Sequence, residues 1–278
     1  MSFADDYRVL LQLLLDEEFS AEETNTRTGH RIRALRAGAA IQTDLSDGLL
    51  PMIDCRRTFP RTAAAEVAWF IRGEKSVRWL DRYAKIWKKF AEADGDTVES
   101  SYGYRWRRHF GRDQLGLAVA TLRNDPSDRR TYVSAWDPST DGLGALGQRN
   151  VPCPIGFTLS VVDGRLNSSL LIRSSDVFVG LPYDMMGHAM LMAIVAESLE
   201  DVVPGDLTVN IGHAHLYDSH YDMAKECLAQ EPVRPEVRLV EMSLSGVEAD
   251  PELLVADYSH RSKGTVHPSY SPVPEVVL

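Results

Sequence analysis

The chain has 278 residues, of which 44% are hydrophobic and 25% charged, a composition typical of a globular protein with a sizeable core. Its net charge of −10 argues against binding to a nucleic-acid polymer, and it has no apolar run long enough to span a membrane. Because the N-terminus does not resemble a signal peptide, a cytoplasmic location is expected. The three cysteines are widely spaced and predict neither a disulfide framework nor a zinc site.

Three helices are predicted in the first hundred residues. Apolar residues at helical spacing predict an amphipathic helix within residues 1–20, and an alanine-rich helix over Thr62–Ile71 should end at Gly73. A further helix is predicted over about Val77–Lys89, followed by an irregular aromatic and basic loop at Ser100–Arg108.

The C-terminal half alternates strands and helices. The predicted elements are a helix at Gln114–Asn124, a strand at Thr131–Trp136, a glycine-rich loop at Asp137–Asn150, a buried helix at Met185–Leu199, a strand at Leu207–Ile211, a helix at about Ser219–Ala229 and a final sheet region interrupted by prolines. With no repeat and no linker, these elements predict one α+β domain over residues 1–278.

Two β-branched runs joined by Asp163-Gly164 predict a hairpin. Cys153 precedes the first run, and Arg173 follows the second, so both should lie at neighbouring strand ends. A guanidinium beside a thiol stabilises the thiolate, and it also binds phosphate or carboxylate groups. The hairpin therefore predicts a nucleophile that meets an anionic substrate, although a buried cysteine in the core is an alternative.

Other polar residues are candidates for the same site. Arg27, Arg129 and Arg130 occupy turns or strand ends, where they could join an anion pocket or remain solvated surface charges. Glu66 is flanked by apolar residues, which predicts a buried carboxylate that acts as an acid/base group or pairs with an arginine. His213 and His215 form an H-x-H pair, but no third ligand stands at useful spacing, so no metal site is predicted.

Eight stretches in order along most of the chain resemble the thymidylate synthase family. They are N-T-R-T-G around Arg27, A-E-V-A-W-F-I-R-G around Glu66, I-W-K-K-F-A-E-A-D-G-D at Ile86–Asp96, Y-G-Y-R-W-R at Tyr102, N-D-P-S-D-R-R-T-Y-V-S-A-W at Asn124–Trp136, V-P-C-P at Cys153, R-S-S-D-V-F-V-G-L-P-Y-D at Arg173 and G-H-A-H-L-Y at Gly212. The resemblance implies an α+β fold with a large twisted mixed β-sheet flanked by helices. It also implies a homodimer packed sheet to sheet, with active sites shared across the interface, that uses 5,10-methylenetetrahydrofolate.

The resemblance implies roles for individual residues. Cys153 would add to C6 of a pyrimidine nucleotide monophosphate, beside Tyr102, and Glu66 would organise water and move protons. The implied ligands of the nucleotide phosphate are Arg27, Arg173 and Ser174 of the same chain with Arg129 and Arg130 of the partner. His215 and Tyr217 would hold the sugar 3′-hydroxyl. The implied folate site consists of Arg56, Trp87, Asp176 and Gly180, and the C-terminal tail would close over it.

Departures from the family pattern predict the substrate. Asp184 stands where the synthases have Asn, and a carboxyl group that shares a proton with N3 while accepting from the N4 amino group matches cytosine. Pro154 replaces the usual His, Ile172 replaces the usual Gln, and Phe90 replaces a second Trp. These changes predict a deoxycytidylate 5-hydroxymethylase that converts dCMP to 5-hydroxymethyl-dCMP.

Four alternatives remain open from the residues. The first three are a dCMP C5-methyltransferase with hydride transfer from folate, a CMP 5-hydroxymethylase and a thymidylate synthase acting on dUMP. The fourth is a nucleotide-binding homologue without activity.

Overall fold

The computed structural model describes residues 2–25, 28–144, 150–274 and 276–277, so Arg27 lies outside the described residues. Within these ranges the fold is α+β, with eight α-helices and nine strands. The helices are Phe3–Leu15 (α1), Pro60–Ile71 (α2), Tyr102–Tyr104 (α3), Gln114–Asn124 (α4), Leu181–Ala196 (α5), Tyr221–Ala229 (α6), Leu244–Ala249 (α7) and Pro251–Arg261 (α8). The strands are Ser20–Thr24 (β1), Arg31–Leu35 (β2), Ala39–Asp44 (β3), Tyr132–Ser134 (β4), Pro154–Val162 (β5), Arg165–Ile172 (β6), Ser175–Asp176 (β7), Val203–Ile211 (β8) and Ala214–Tyr217 (β9).

The strands form two mixed sheets. One has the order β3-β8-β6-β5-β4, with β6 and β8 parallel, and the other has the order β1-β2-β9-β7, with β7 and β9 parallel. Four passages of the chain, from β2 to β3, from β6 to β7, from β7 to β8 and from β8 to β9, cross from one sheet to the other. The α+β class with mixed sheets is therefore confirmed, but the expected large sheet is divided at these crossings. Gly212 lies at one of them, where an added Cβ would stand 3.1 Å from the Arg173 carbonyl oxygen.

The predicted hairpin is confirmed. Strands β5 and β6 pair antiparallel, and Asp163 and Gly164 turn between them with φ values of 49° and 70°. Positive φ at both residues is the geometry that an Asp-Gly hairpin turn requires. At the other end of the hairpin, the Arg173 N–H donates to the Cys153 carbonyl over 2.9 Å. The two residues are thus held side by side, as their positions in the sequence predict.

Helix α5 is buried along its length, in agreement with its apolar sequence. It begins at Leu181, before the predicted start at Met185, because Pro182 occupies the first turn, where a missing N–H costs nothing. The helix packs against α2 on one side and against β6 and β8 on the other. Its early start places Asp184 in the first helical turn.

Two predictions in the N-terminal half are wrong. Instead of one helix over Val77–Lys89, the chain forms short 3₁₀-helices at Leu80–Arg82 and Lys85–Phe90. The reason is tertiary, because Glu252 of α8 accepts hydrogen bonds from the Trp79 indole, Arg82 and the Tyr83 hydroxyl.

The stretch Ser100–Arg108 is also not an irregular loop, since α3 continues into a π-helix at Arg105–His109. The Ser101 side chain accepts from the Tyr104 N–H at the start of α3, and the buried Arg105 guanidinium pairs with Asp141 at 3.1 Å.

The predicted sheet region after α6 is also wrong, because α7 and α8 follow instead. Ser243 and Asp250 cap the two helices through side-chain hydrogen bonds, and Pro251 occupies the first turn of α8. Strand β8 begins at Val203, before the predicted start at Leu207, so Pro204-Gly205-Asp206 belongs to the strand. Pro251 therefore marks the start of a helix and Pro204 a position within a strand, and the local sequence does not distinguish the two cases.

The expectation of no disulfide is corrected by the structure. Cys55 and Cys227, which are 172 residues apart, form a disulfide bond, and both side chains are fully buried. It joins the segment before α2 to α6. Spacing alone could not predict this pair, because only the tertiary fold brings the two segments together. Cys153 takes no part in this disulfide.

Candidate active site

A cavity of about 690 Å³ lies between α2, α5, the 3₁₀ segments and the ends of the β5–β6 hairpin. It gathers most of the residues that the sequence singles out. Those that line it are Arg56, Glu66, Trp87, Tyr102, Cys153, Arg173, Ser174, Asp176, Gly180, Asp184, His215 and Tyr217.

The thiol and the guanidinium lie together on one wall. Arg173 Nη2 is 3.8 Å from Cys153 Sγ, and the guanidinium also donates to the carbonyls of Pro152 over 2.8 Å and Val151 over 3.1 Å. These backbone bonds fix the arginine in place. A fixed positive charge beside a half-buried thiol favours the thiolate, and the same charge can attract an anionic substrate.

Two carboxyl groups face the cavity from α2 and α5. Desolvation raises the pKa of Glu66 to about 7, although the Trp87 indole donates to its Oε1 over 2.9 Å and opposes the rise. Desolvation, followed by the charge of Glu66, raises the pKa of Asp184 to about 8. Both groups can therefore gain or lose a proton near neutral pH, which is the property required of general acids and bases.

Aromatic rings form another wall. The Phe70 and Tyr102 rings are 5.0 Å apart, and the Trp87 ring lies 5.5 Å from Tyr102 and 5.8 Å from Phe90. Burial raises the pKa of Tyr102 well above its ordinary value, and the nearby Cys153, Asp184 and Glu66 add to the rise. Tyr102 is thus a hydroxyl donor at neutral pH. The aromatic wall suits a flat ring system.

The strand β9 supplies a polar edge to the cavity. His215 and Tyr217 face the same side, as the alternation along a strand predicts, with ring centroids 5.2 Å apart. Burial lowers the pKa of His215, which keeps the imidazole neutral. A neutral imidazole and a phenol are suitable hydrogen-bonding partners for a hydroxyl group.

The remaining cavity residues are held mainly by backbone contacts. Asp176 accepts from the N–H groups of Phe178 and Val179 over 3.0 and 3.1 Å, which shapes the entry to α5. Gly180 lies close to Asp176, because an added Cβ would stand 3.4 Å from its carbonyl oxygen. Arg56 is only 3% exposed, since its guanidinium covers the Phe178 ring and donates to the Phe178 carbonyl.

Arg129 and Arg130 do not reach this cavity. Both are exposed in the loop before β4, and Arg130 Nε donates to Asp128 over 3.0 Å. The two arginines line a separate surface depression together with Asp125, Ser127 and Asp128 of the same loop.

The sequence reasoning missed His188, which is buried and also lines the cavity. Its position four residues after Asp184 on a predicted helix is a signal that could have identified it. The predicted contribution of the tail is seen in Ser271, Pro272, Val273, Pro274, Val276 and Val277, which line the cavity.

In residues 2–25, 28–144, 150–274 and 276–277 no group of three or more His, Cys, Asp or Glu side chains could hold a metal ion. No helix in the described part of the chain combines the length and the apolar character of a membrane span.

An α+β fold that brings a thiol, a guanidinium and two titratable carboxyl groups into one cavity has the parts of an enzyme that bonds covalently to an anionic substrate. The family model described as thymidylate synthase matches residues 5–269. The chain belongs to the thymidylate synthase family, and it is accordingly a folate-dependent one-carbon transferase that acts on a pyrimidine nucleotide.

The cavity fits the one-carbon donor of the family, methylenetetrahydrofolate. Its volume of about 690 Å³ lies near the middle of the range of about 300–1,000 Å³ typical of ligand pockets. The Trp87 and Phe90 rings and the apolar tail residues offer a surface on which a flat ring could stack.

Proposed function

We propose that this enzyme transfers the one-carbon unit of 5,10-methylenetetrahydrofolate to C5 of a cytidine nucleotide and converts dCMP to 5-hydroxymethyl-dCMP. The observation that carries the proposal is Asp184, whose raised pKa of about 8 keeps its carboxyl group protonated at neutral pH. Cytosine N3 is a basic ring nitrogen that can receive this proton, and the carboxyl oxygens can accept from the N4 amino group. Uracil N3 already carries a hydrogen and cannot take the proton.

Cys153 begins the reaction by attacking C6 as a thiolate. The attack pushes electron density into the ring, and the proton that Asp184 gives to N3 offsets the developing negative charge. C5 then becomes nucleophilic. Arg173, anchored on the carbonyls of Val151 and Pro152, holds the thiolate and the nucleotide phosphate in one orientation. Ser174 and Arg27 assist with the phosphate, and His215 and Tyr217 hold the sugar hydroxyl.

The folate is proposed to lie beside Trp87, Asp176, Gly180 and Arg56, and when bound it supplies the one-carbon unit that C5 takes up. Arg56 is largely covered by Phe178, so its part is to shape this side of the cavity. Tyr102 keeps its hydroxyl proton and can donate to a water molecule or to the base. Glu66, with a pKa of about 7, can take a proton from C5 or from water near neutral pH.

The final step is proposed to be addition of water. The water oxygen bonds to the one-carbon unit on C5, and one water proton passes to the Glu66 carboxylate. This step follows loss of the C5 proton, which passes through Glu66 to solvent, and breaking of the bond between the one-carbon unit and the folate nitrogen, which together leave an exocyclic double bond on C5. When water adds, the electron pair of that double bond returns to the ring and re-forms the C5–C6 double bond as Cys153 leaves as a thiolate. Hydride transfer in place of water would yield a methyl group, and the mass of the product distinguishes the two.

The active enzyme is proposed to be a homodimer in which Arg129 and Arg130 complete the partner's phosphate site. Their exposure in a loop apart from this chain's own cavity supports that role. A single domain over residues 1–278 and a cytoplasmic location stay predictions, and the Cys55–Cys227 disulfide is a bond that a reducing compartment disfavours.

The proposal is tested by incubating the enzyme and methylenetetrahydrofolate with dCMP, CMP or dUMP and identifying each product by mass. We expect 5-hydroxymethyl-dCMP from dCMP as the main product. Turnover of dUMP alone would overturn the assignment to cytosine, and a methylated product would overturn the addition of water. Binding of dCMP without any turnover would favour a nucleotide-binding homologue.

Asp184→Asn is the variant that tests the recognition of the base. An amide cannot give a proton to N3, so we expect the ratio of dCMP to dUMP turnover to fall by at least about tenfold. Asp206→Asn, on the exposed part of β8, is the matched control and should leave the ratio unchanged. An unchanged ratio in Asp184→Asn would mean that another residue distinguishes the bases.

A further inference from the structure

His188 lies at the floor of the cavity, below the residues assigned to the nucleotide and the folate. Asp184, Gly187, His188 and Leu191 all line the cavity. Their spacing of three, four and seven residues places them on one face of α5. Val67, Leu170 and Pro154 make the surrounding floor apolar.

The hydrogen bonds around His188 define its tautomer. The Ser168 hydroxyl donates to the Thr158 carbonyl over 2.8 Å, so its oxygen is free to accept from His188 Nε2, also at 2.8 Å. Nε2 therefore carries the hydrogen, and Nδ1 carries a lone pair. The edge-to-face contact with the Phe157 ring, at 4.9 Å between centroids, holds the imidazole in this orientation.

The imidazole remains neutral, because burial lowers the pKa of His188 to about 3. In the part of the chain that the structure describes, Nδ1 takes part in none of the hydrogen bonds. A neutral acceptor on an otherwise apolar floor is a place for an ordered water molecule, provided that other polar groups lie within reach.

Asp184 and Glu66 supply those polar groups. Asp184 is one helical turn from His188, and residues at this spacing lie about 5–6 Å apart between Cβ atoms, a gap that one water can bridge. Helix α2 approaches α5 closely here, since a Cβ at Gly187 would lie 3.4 Å from Val67 Cγ2, next to Glu66.

We propose that His188 is a positioning residue that holds the reacting water between its Nδ1 and the carboxyl group of Glu66, beside Asp184, whose carboxyl group faces the base. The inference deepens the proposed function and depends on it. One hydrogen of the water donates to Nδ1, which turns an oxygen lone pair toward the one-carbon unit. The other hydrogen faces the Glu66 carboxylate, which takes it as the carbon–oxygen bond forms. His188 gains no proton and is unchanged at the end of the step.

Two substitutions of His188 separate the roles of its two ring nitrogens. His188→Gln places an amide near the position of Nε2 and keeps a donor for Ser168, but it removes the acceptor at Nδ1. His188→Asn restores a polar acceptor near Nδ1 and gives up the bond to Ser168. His260→Gln in the last turn of α8, outside the cavity, is the matched control.

The experiment follows dCMP labelled with tritium at C5, with 2-mercaptoethanol present as a nucleophile that competes with water. Tritium release reports uptake of the one-carbon unit, whereas the ratio of hydroxymethyl product to thioether reports the capture of water. For His188→Gln we expect tritium release within about twofold of wild type and a ratio at least about tenfold lower. His188→Asn should recover part of the ratio, and His260→Gln should match wild type.

If His188→Gln gave the wild-type ratio of hydroxymethyl product to thioether, the inference would be overturned and the proposed function would stand. Failure of the wild-type enzyme to release tritium from dCMP would instead overturn the proposed function. If His188→Gln does not fold, as judged by circular dichroism, Ser168→Ala serves as the second variant. It frees the ring from its anchor and should lower the ratio in the same direction, and an unchanged ratio there would also contradict the proposal.

Discussion

Asp184 and Glu66 have pKa values of about 8 and about 7, far above those of carboxyl groups in water. The shifts have one dominant cause, which is the loss of water around the two buried carboxyl groups. The two groups also oppose each other's ionisation. Their proton affinities are therefore a property of the packing of α2 against α5.

The raised pKa of Asp184 predicts how stability depends on pH. Between the ordinary pKa of 3.8 and the folded value of about 8, the folded chain holds a proton that the unfolded chain has released. The contribution of Asp184 to the free energy of unfolding therefore falls as the pH rises through this range, by at most about 1.4 kcal/mol per pH unit. Asp184→Asn removes this contribution.

Urea unfolding of both proteins at pH 5 and pH 8 measures the difference. We expect the free energy of unfolding to decline less between the two pH values in Asp184→Asn than in wild type. Equal declines would show that Asp184 is ionised in the folded enzyme.

Cys153→Ser separates covalent catalysis from nucleotide binding. A serine hydroxyl is far less acidic than a thiol, so Arg173 cannot hold it as an anion, and turnover of dCMP should fall by at least about a thousandfold. Binding of dCMP, measured by calorimetry, should stay within about threefold, because the phosphate and sugar contacts are unchanged. Turnover near the wild-type rate would rule out Cys153 as the nucleophile.

At the scale of elements, the C-terminal tail is tied down just before it enters the cavity. The Tyr270 carbonyl accepts from the Arg57 N–H over 2.8 Å, and the Tyr270 hydroxyl donates to Glu226 over 2.8 Å. Ser271–Pro274, Val276 and Val277 line the same cavity as Trp87 and Phe90 of the second 3₁₀ segment, so the tail contributes to the wall of the cavity in which the folate is proposed to bind.

Removal of residues 271–278 should therefore reduce turnover more than it reduces nucleotide binding. We expect turnover of dCMP to fall by at least about a hundredfold, because water enters and the folate loses one wall, while the Kd for dCMP changes by less than about threefold. Tyr270→Phe keeps the tail but loses its bond to Glu226, and it should give a smaller loss. A truncated enzyme with full turnover would show that the tail is dispensable.

At the scale of the whole molecule, the proposed sharing of active sites between two chains predicts complementation between two inactive variants. Cys153→Ser and Arg130→Ala should each be nearly inactive as homodimers, because every active site then lacks either the cysteine or the arginine. A mixed dimer holds one intact site, which combines the cysteine of one chain with the arginine of the other. An equimolar, randomly reassorted mixture should recover about a quarter of wild-type turnover. No recovery after demonstrated exchange of chains would argue against sharing.

Several features were determined by the sequence alone, because they depend on neighbours within a few residues. Asp163-Gly164 defined the hairpin through its positive φ values, and this hairpin set Cys153 beside Arg173. Helix α4 begins and ends where its pattern predicts, and the motifs around Glu66, Tyr102 and His215 identified residues that line one cavity.

Other features were decided only by the tertiary structure, because they depend on groups far apart in the chain. Glu252 divides the segment before Phe90 into two short 3₁₀-helices, and Cys55 meets Cys227 across 172 residues. Asp184 illustrates both sources of information. The sequence marked it as the residue proposed to read the base, whereas its proton affinity arises from desolvation and from Glu66, a carboxyl group on another helix.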